Sequence, residues 1–162
     1  MHTSVRRLVD ADIDALVEFS LAAWTAVFAS LEQQLGSRIF RLIYPDWKQA
    51  QGNAVRGVCS APENEVWVAV VGDRPVGFVA IAFIDEDAAH VGEIYMIAVD
   101  PDHQRRGIAT VLMEEALVRI AANGADLAVI GTGGDSGHAP ARALYERFDF
   151  IPVHQVRYYR RP

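Results

Sequence analysis

Apolar and polar positions divide the chain into stretches of two different periods. Ser4 to Leu8 reads as a strand. Asp10 or Asp12 is then placed to cap a helix whose Ile13, Leu16, Val17 and Leu21 recur at helical spacing. Trp24 to Tyr44 is predicted helical with a break near Gly36, and Asp46, after Pro45, caps a further helix through Val58. Glu65 to Val71 and Val76 to Ile84 are apolar runs joined by Gly72-Asp73-Arg74-Pro75, a hairpin pattern. Asp85-Glu86-Asp87 marks the next turn, and Val91 to Val99 is a third strand of the same meander. Ala109, Leu112, Met113, Ala116, Leu117 and Ile120 form the buried stripe of an amphipathic helix that Asn123-Gly124 ends. Leu127 to Ile130 is a short buried strand, and Pro140 suits the first turn of a last helix after the loop Gly131 to Gly137. Phe150 to Val153 and Val156 to Tyr159 read as two closing strands. The order predicts an α+β fold, a central mixed, mostly antiparallel sheet flanked by helices, as one domain over residues 1–162.

Composition narrows the class. With 51 % hydrophobic and 22 % charged residues the chain can fill a core and is not a disordered segment. No uninterrupted apolar run approaches the roughly 20 residues of a membrane helix. Arg6 and Arg7 are followed by Asp10, Asp12 and Asp14, so no signal peptide and no membrane partner are expected. The lone Cys59 leaves no internal disulfide and fits a reducing, cytoplasmic location. A net charge of −6 argues against nucleic acid as a partner and is compatible with an amine. The spacing of Asp10, Asp12 and Asp14 hints at a calcium loop, but Ala15 and Leu21 stand where its glycine and closing glutamate belong. No metal site is expected, because His2, His90, His103 and His154 are scattered.

The chemistry concentrates at Val99 to Thr110. An apolar strand ends there in a basic, glycine-containing turn, Gln104-Arg105-Arg106-Gly107-Ile108-Ala109, which opens a helix. A helix start carries unpaired N–H groups and a dipole that favours an anion. Gly107 lets backbone approach a ligand, and Arg105 and Arg106 can add charge-assisted hydrogen bonds. No Gly-x-Gly-x-x-Gly or Gly-Lys-Ser/Thr is present, so dinucleotide and P-loop readings fit worse.

The turn, in this order of elements, resembles the GNAT superfamily of acyl-CoA-dependent N-acetyltransferases. The family turn is Gln or Arg, two residues, Gly, one residue, then Gly or Ala, and Gln104 to Ala109 matches each position. A second family signature is Ala, Tyr four residues on, then Gly-Phe; Ala141, Tyr145 and Phe150 match, with Asp149 in place of the glycine. Aspartate tolerates left-handed backbone better than most residues. The resemblance is strong from Glu93 to Phe150 and weak over the first sixty residues.

The resemblance implies acetyl-CoA as acyl donor. The backbone of Ile97, Ala98 and Val99 would hold the pantetheine arm, and Gln104, Arg105, Arg106, Gly107, Ile108, Ala109 and Thr110 the pyrophosphate. Tyr145 matches the tyrosine that protonates the coenzyme sulfur. Glu93, at the start of the strand, stands where some members carry their general base, acting directly or through water. His138 stands seven residues before Tyr145, where many members place an asparagine on the cofactor arm, so it is a cofactor contact and an alternative base. Trp24, Phe28, Thr132 and Asp135 are candidates for the acceptor pocket, the last two in the loop Gly131 to Gly137, which holds more glycine than a simple turn needs. The implied activity is direct transfer of acetyl to a primary amine of a small molecule or a protein. The alternative is a non-catalytic acyl-CoA-binding or sensing module of the same fold. Family habit allows a homodimer.

Overall fold

The computed structural model describes residues 3–162; His2 lies outside the described residues. Five strands form one sheet in chain order: β1 (Thr3–Arg7), β2 (Glu65–Val71), β3 (Arg74–Glu86), β4 (Ala89–Val99) and β5 (Leu127–Ile130). The first four pair antiparallel, and β4 pairs β5 in parallel. β3 is central, and its Val76, Phe78, Val79, Ala80 and Ile81 are fully buried. This explains why its sequence is a continuous apolar run and not an alternation.

Helices cover both faces. Phe78, Ala80, Val66 and Val68 pack beneath Leu16 and Phe19 of α1 (Ile13–Leu35) and Val55 of α3 (Trp47–Ser60). Val79, Ile81 and Ile94 pack beneath Leu112, Met113, Ala116 and Ile120 of α4 (Ile108–Ala122). Two glycines let α4 lie close to the sheet. A Cβ on Gly92 would fall 2.6 Å from Ile120, and one on Gly77 would fall 3.0 Å from both Leu112 and the Ala98 carbonyl. Gly36 breaks the long helix as predicted, with φ 74°, before α2 (Ser37–Ile43), and Asp46 caps α3 by accepting from the Gln49 N–H at 3.0 Å. One segment, Asp10–Leu35, passes a length-and-composition test for a membrane span, but its buried Leu16 and Phe19 serve the core of this sheet.

Three expectations are corrected. Asp12 does not cap α1 with its side chain. Its carboxylate instead pairs with both terminal nitrogens of Arg6, at 2.6 and 2.9 Å, and accepts from the Val9 N–H. The Arg6 hydrogen bond outweighs burial and holds the carboxyl below its ordinary value. The acidic turn is shorter than read: β3 runs through Glu86, and the chain reverses at Asp87, with φ 46°. The two closing strands do not form. Beyond the last helix, α5 (Ala139–Arg147), residues 150–162 join no ladder, and Ile151, Val153, Val156 and Tyr158 are exposed. Alternation specifies extended backbone, but a strand also needs an edge to pair with. This segment ends instead with Tyr159, Arg160 and Arg161 beside Leu35–Ile39, where α1 turns into α2.

Candidate active site

The sheet opens where β4 and β5 part. The two are paired only from Val91 opposite Leu127 to Ile94 opposite Ile130. β5 ends there, while β4 runs on to Val99, bonded only to β3. The register with β3 shifts between Ala80 and Ile81, so Tyr95 is the extra residue of a bulge at the point of parting. The backbone edge of Tyr95 to Val99 therefore faces a cleft of about 700 Å³. α1 contributes Ala23, Trp24, Ala26 and Val27 to its walls, and α5 contributes Ala141, Leu144 and Tyr145.

At one end of the cleft stands the basic turn. Arg105 and Gly107 both have left-handed backbone, at φ 59° and 81°. That conformation costs a non-glycine residue on the order of 1–2 kcal/mol. Successive N–H groups in such a turn converge into an anion-binding concavity. No side chain caps α4, and the helix's own bonding begins at the Val111 N–H, which donates to the Gly107 carbonyl. The N–H groups of Ile108, Ala109 and Thr110 are thus left to a ligand. The turn is braced from below. Buried Asp100 accepts from Arg74 and the Asp102 N–H and lies 3.2 Å from His103, and the Gln104 amide donates to the Val99 carbonyl at 3.2 Å. Arg147, in the last turn of α5, lines the cleft and donates to the Thr110 hydroxyl at 3.0 Å. It adds a cation that the sequence reading missed, since only the packing of α5 on α4 brings it there.

The cleft brings together Ile97, Ala98, Val99, Gln104, Arg105, Gly107, Ile108, Ala109 and Thr110, as well as Trp24, Thr132, His138 and Tyr145. Arg106 is exposed and lies outside the lining. Phe28 is also outside it: its ring stacks on Trp47 at 4.2 Å and meets Phe40 and Tyr44 edge-on, in an aromatic cluster between α1, α2 and the start of α3. Glu93 pairs with Ala82 and Val129 inside the closed part of the sheet, one residue short of the parting, and does not line the cleft. Asp135 lies behind His138 and not on the wall.

Tyr145 is 9 % exposed, its ring edge-on to Phe150. Burial pushes its phenol up to about 12, so it is a hydrogen-bond donor at neutral pH. Asp149 has φ 61°, the left-handed conformation its place in the Gly-Phe signature requires. Cys59 is on α3, outside the cleft, with its thiol pushed up to about 11 by burial. A thiol so held is not a ready nucleophile. Among the described residues no cluster of three His, Cys, Asp or Glu side chains could hold a metal ion.

The chain is similar to known proteins over the region that builds this cleft. A family model described as the acetyltransferase (GNAT) family matches residues 24–150. Among curated proteins, a mycothiol acetyltransferase of Beutenbergia cavernae is 45 % identical over 67 residues, which are 41 % of this chain and 22 % of that protein. The uncharacterized N-acetyltransferase YsnE of Bacillus subtilis is 30 % identical over 89 residues, 55 % of this chain and 57 % of its own length. The chain thus matches only part of each curated relative. A solved protein of Bacillus halodurans shares the fold with a TM-score of 0.77 at 14 % identity, covering 98 % of this chain and 99 % of that one. An aminoglycoside N-acetyltransferase solved in complex with CoA has a TM-score of 0.64 at 14 % identity, covering 99 % of this chain and 95 % of its own. With the family model spanning the helix, sheet and turn that build the cleft, the chain belongs to the acetyltransferase (GNAT) family.

Proposed function

We propose that the protein is an N-acetyltransferase that moves acetyl from acetyl-CoA to a primary amine of a small molecule or protein, by direct transfer with both substrates bound. The observation that carries this reading is the free backbone edge of Tyr95 to Val99, which lines the same cleft as Tyr145 and leads to the open N–H groups of α4. A strand edge binds an amide-containing arm as another strand would. The N–H groups and Arg105 meet the pyrophosphate at the arm's far end. Arg147 adds positive charge at the same end. The acceptor enters from the opposite side, between Trp24 on α1 and Thr132 beyond β5. Similar folds that acetylate amines include an aminoglycoside N-acetyltransferase and a ribosomal-protein-alanine N-acetyltransferase, which supports an amine as acceptor.

Tyr145 acts on the leaving sulfur. A phenol at about 12 facing a thiol of ordinary pKa near 8.5 would lose about 5 kcal/mol by giving up its proton outright. The favoured role is therefore a hydrogen bond to sulfur that strengthens as charge develops there. Two groups are candidates to take the amine's proton, Glu93 and His138, and only His138 lines the cleft. Cys59 stands away from it, which favours direct transfer over a covalent acyl-enzyme.

The test is coenzyme A release, read with a thiol reagent, over an aminoglycoside, a peptide with N-terminal alanine and a linear diamine. Release that depends on one of these amines is expected. Tyr145→Phe should lower kcat about 10–100-fold, the value of one hydrogen bond to a charged acceptor, and leave acetyl-CoA affinity in place. Release with no dependence on any amine would count against the reading.

A further inference from the structure

Asp135 and His138 form a pair at the mouth of α5. The His138 Nδ1 lies 2.5 Å from Asp135 Oδ1, and the Asp135 side chain is 3 % exposed. Burial alone would raise this carboxyl, but hydrogen bonds from His138 and Ser30 outweigh it and keep the group below its ordinary value. An ionised carboxylate only accepts, so the proton of this contact sits on Nδ1, and in the neutral ring Nε2 is then the acceptor. His138 lines the cleft and its side chain is 21 % exposed.

The loop around the pair is built to hold it. The Gly137 N–H donates to Asp135 Oδ2 at 3.0 Å and to Ser30 Oγ of α1 at 3.1 Å. Arg142 of α5 clasps the carbonyls of Gly133 and Asp135 at 2.7 and 2.8 Å. A Cβ on Gly133 would collide with the Asp135 carboxylate and fall 2.5 Å from His138 Nδ1. One on Gly137 would fall 2.7 Å from the Val27 Cα and 2.9 Å from Asp135 Oδ2. Gly133 makes space for the pair, and Gly137 for the pair and for α1.

We propose that His138, oriented by Asp135, is the base that receives the proton of the acceptor amine. This rests on the N-acetyltransferase reading. The amine nitrogen forms the C–N bond to the thioester carbonyl carbon, the C–S bond breaks, and its electron pair leaves on sulfur. The proton shed by nitrogen passes to Nε2, then through solvent to the thiolate, so amine and thioester become amide and thiol. Asp135 is a positioning residue that sets the tautomer and stabilises the imidazolium. The charged and titratable groups around His138 are Asp135 in its own turn, Arg142, Tyr145 and Arg147 on α5, and Tyr95 and Arg105 in the same cleft. α1 meets the turn through Ala26, Val27 and Ser30.

The experiment compares His138→Gln, Asp135→Asn and Glu93→Gln on the amine acetylated in the release assay, with acetyl-CoA affinity measured by calorimetry. His138→Gln should lower kcat at least 100-fold, the low end for a lost general base, with acetyl-CoA affinity within a few-fold. Asp135→Asn should lower kcat and displace the acid limb of the pH profile. Glu93→Gln, which removes the rival candidate, should lower kcat less than His138→Gln. Loss of acetyl-CoA affinity with kcat kept in His138→Gln, or a larger loss in Glu93→Gln, would overturn the assignment. Nitrogen-15 histidine spectra of the wild-type protein supply a readout independent of turnover. The expected signal for the neutral ring is a proton on Nδ1 and none on Nε2, a state that Asp135→Asn disturbs; a neutral ring with its proton on Nε2 would overturn it. Should no amine be acetylated, the N-acetyltransferase reading fails, while the spectra still decide whether the pair has the form a base requires.

Discussion

Replacing Gly107 with valine is expected to weaken acetyl-CoA binding about 100-fold while the protein remains folded. At φ 81° a β-branched residue is strained, and nothing lies within 4 Å of where its Cβ would stand. The penalty to the free protein is thus conformational, on the order of 1–2 kcal/mol, a fall of roughly 2–8 °C in Tm for a chain of this size. The larger effect falls on the ligand. Relief of the strain turns Gly107 toward negative φ, which redirects the N–H groups at the start of α4 and separates them from Arg105. Two or three charge-assisted bonds to pyrophosphate are misaligned, and about 2.7 kcal/mol corresponds to the 100-fold expected. Calorimetry against acetyl-CoA and a melting curve separate the two effects. Unchanged affinity would mean that phosphate is bound elsewhere.

Gly133→Ala is expected to have the opposite signature: turnover reduced about 100-fold, with acetyl-CoA affinity kept. The added methyl would occupy the place of the Asp135–His138 contact. His138 can swing toward the cleft, but Asp135 is buried and loses its partner, so the Tm should fall by about a few degrees while the sheet stays in place. His138 would then lose its fixed tautomer and its aim. Steady-state kinetics with saturating acetyl-CoA, beside the same calorimetry, read this directly. Full turnover in this variant would show that the pair plays no part in transfer.

Much of the fold is legible because the rules involved are local. β5 is predicted at its observed bounds, since four apolar residues between turns have few other uses, but it is an edge strand with Leu127 and Val129 exposed and not the buried strand expected. The stripe of α4 and the helix break at Gly36 follow from side-chain period and from the one residue that takes positive φ freely. The basic turn is equally local: Gly107 takes the positive φ open to glycine, whereas the left-handed Arg105 is not signalled by its residue type. The failures are those that depend on partners far along the chain. Residues 150–162 have strand composition but no edge to join. Phe28 has the spacing to face the acceptor, but Trp47, nineteen residues on, draws it into an aromatic cluster. Glu93 and Tyr95 are two residues apart, and only the bulge and the end of β5 decide which of them meets the cleft. The Asp135–His138 pair is a different case. Aspartate and histidine three residues apart, beside Gly133 and Gly137, carry a signal: glycine at those two positions makes room, not just flexibility.

The central claim is that this cleft joins acetyl from acetyl-CoA to an amine. The most direct measurement is mass spectrometry of the amines themselves after incubation with acetyl-CoA and either the wild-type protein or Gly107→Val. An acetylated amine formed by the wild type, and at a much lower rate by the variant at the same acetyl-CoA concentration, is the predicted result. Acetylation that proceeds equally in both, or acetyl-CoA bound tightly by the wild type with every amine left unmodified, would contradict it.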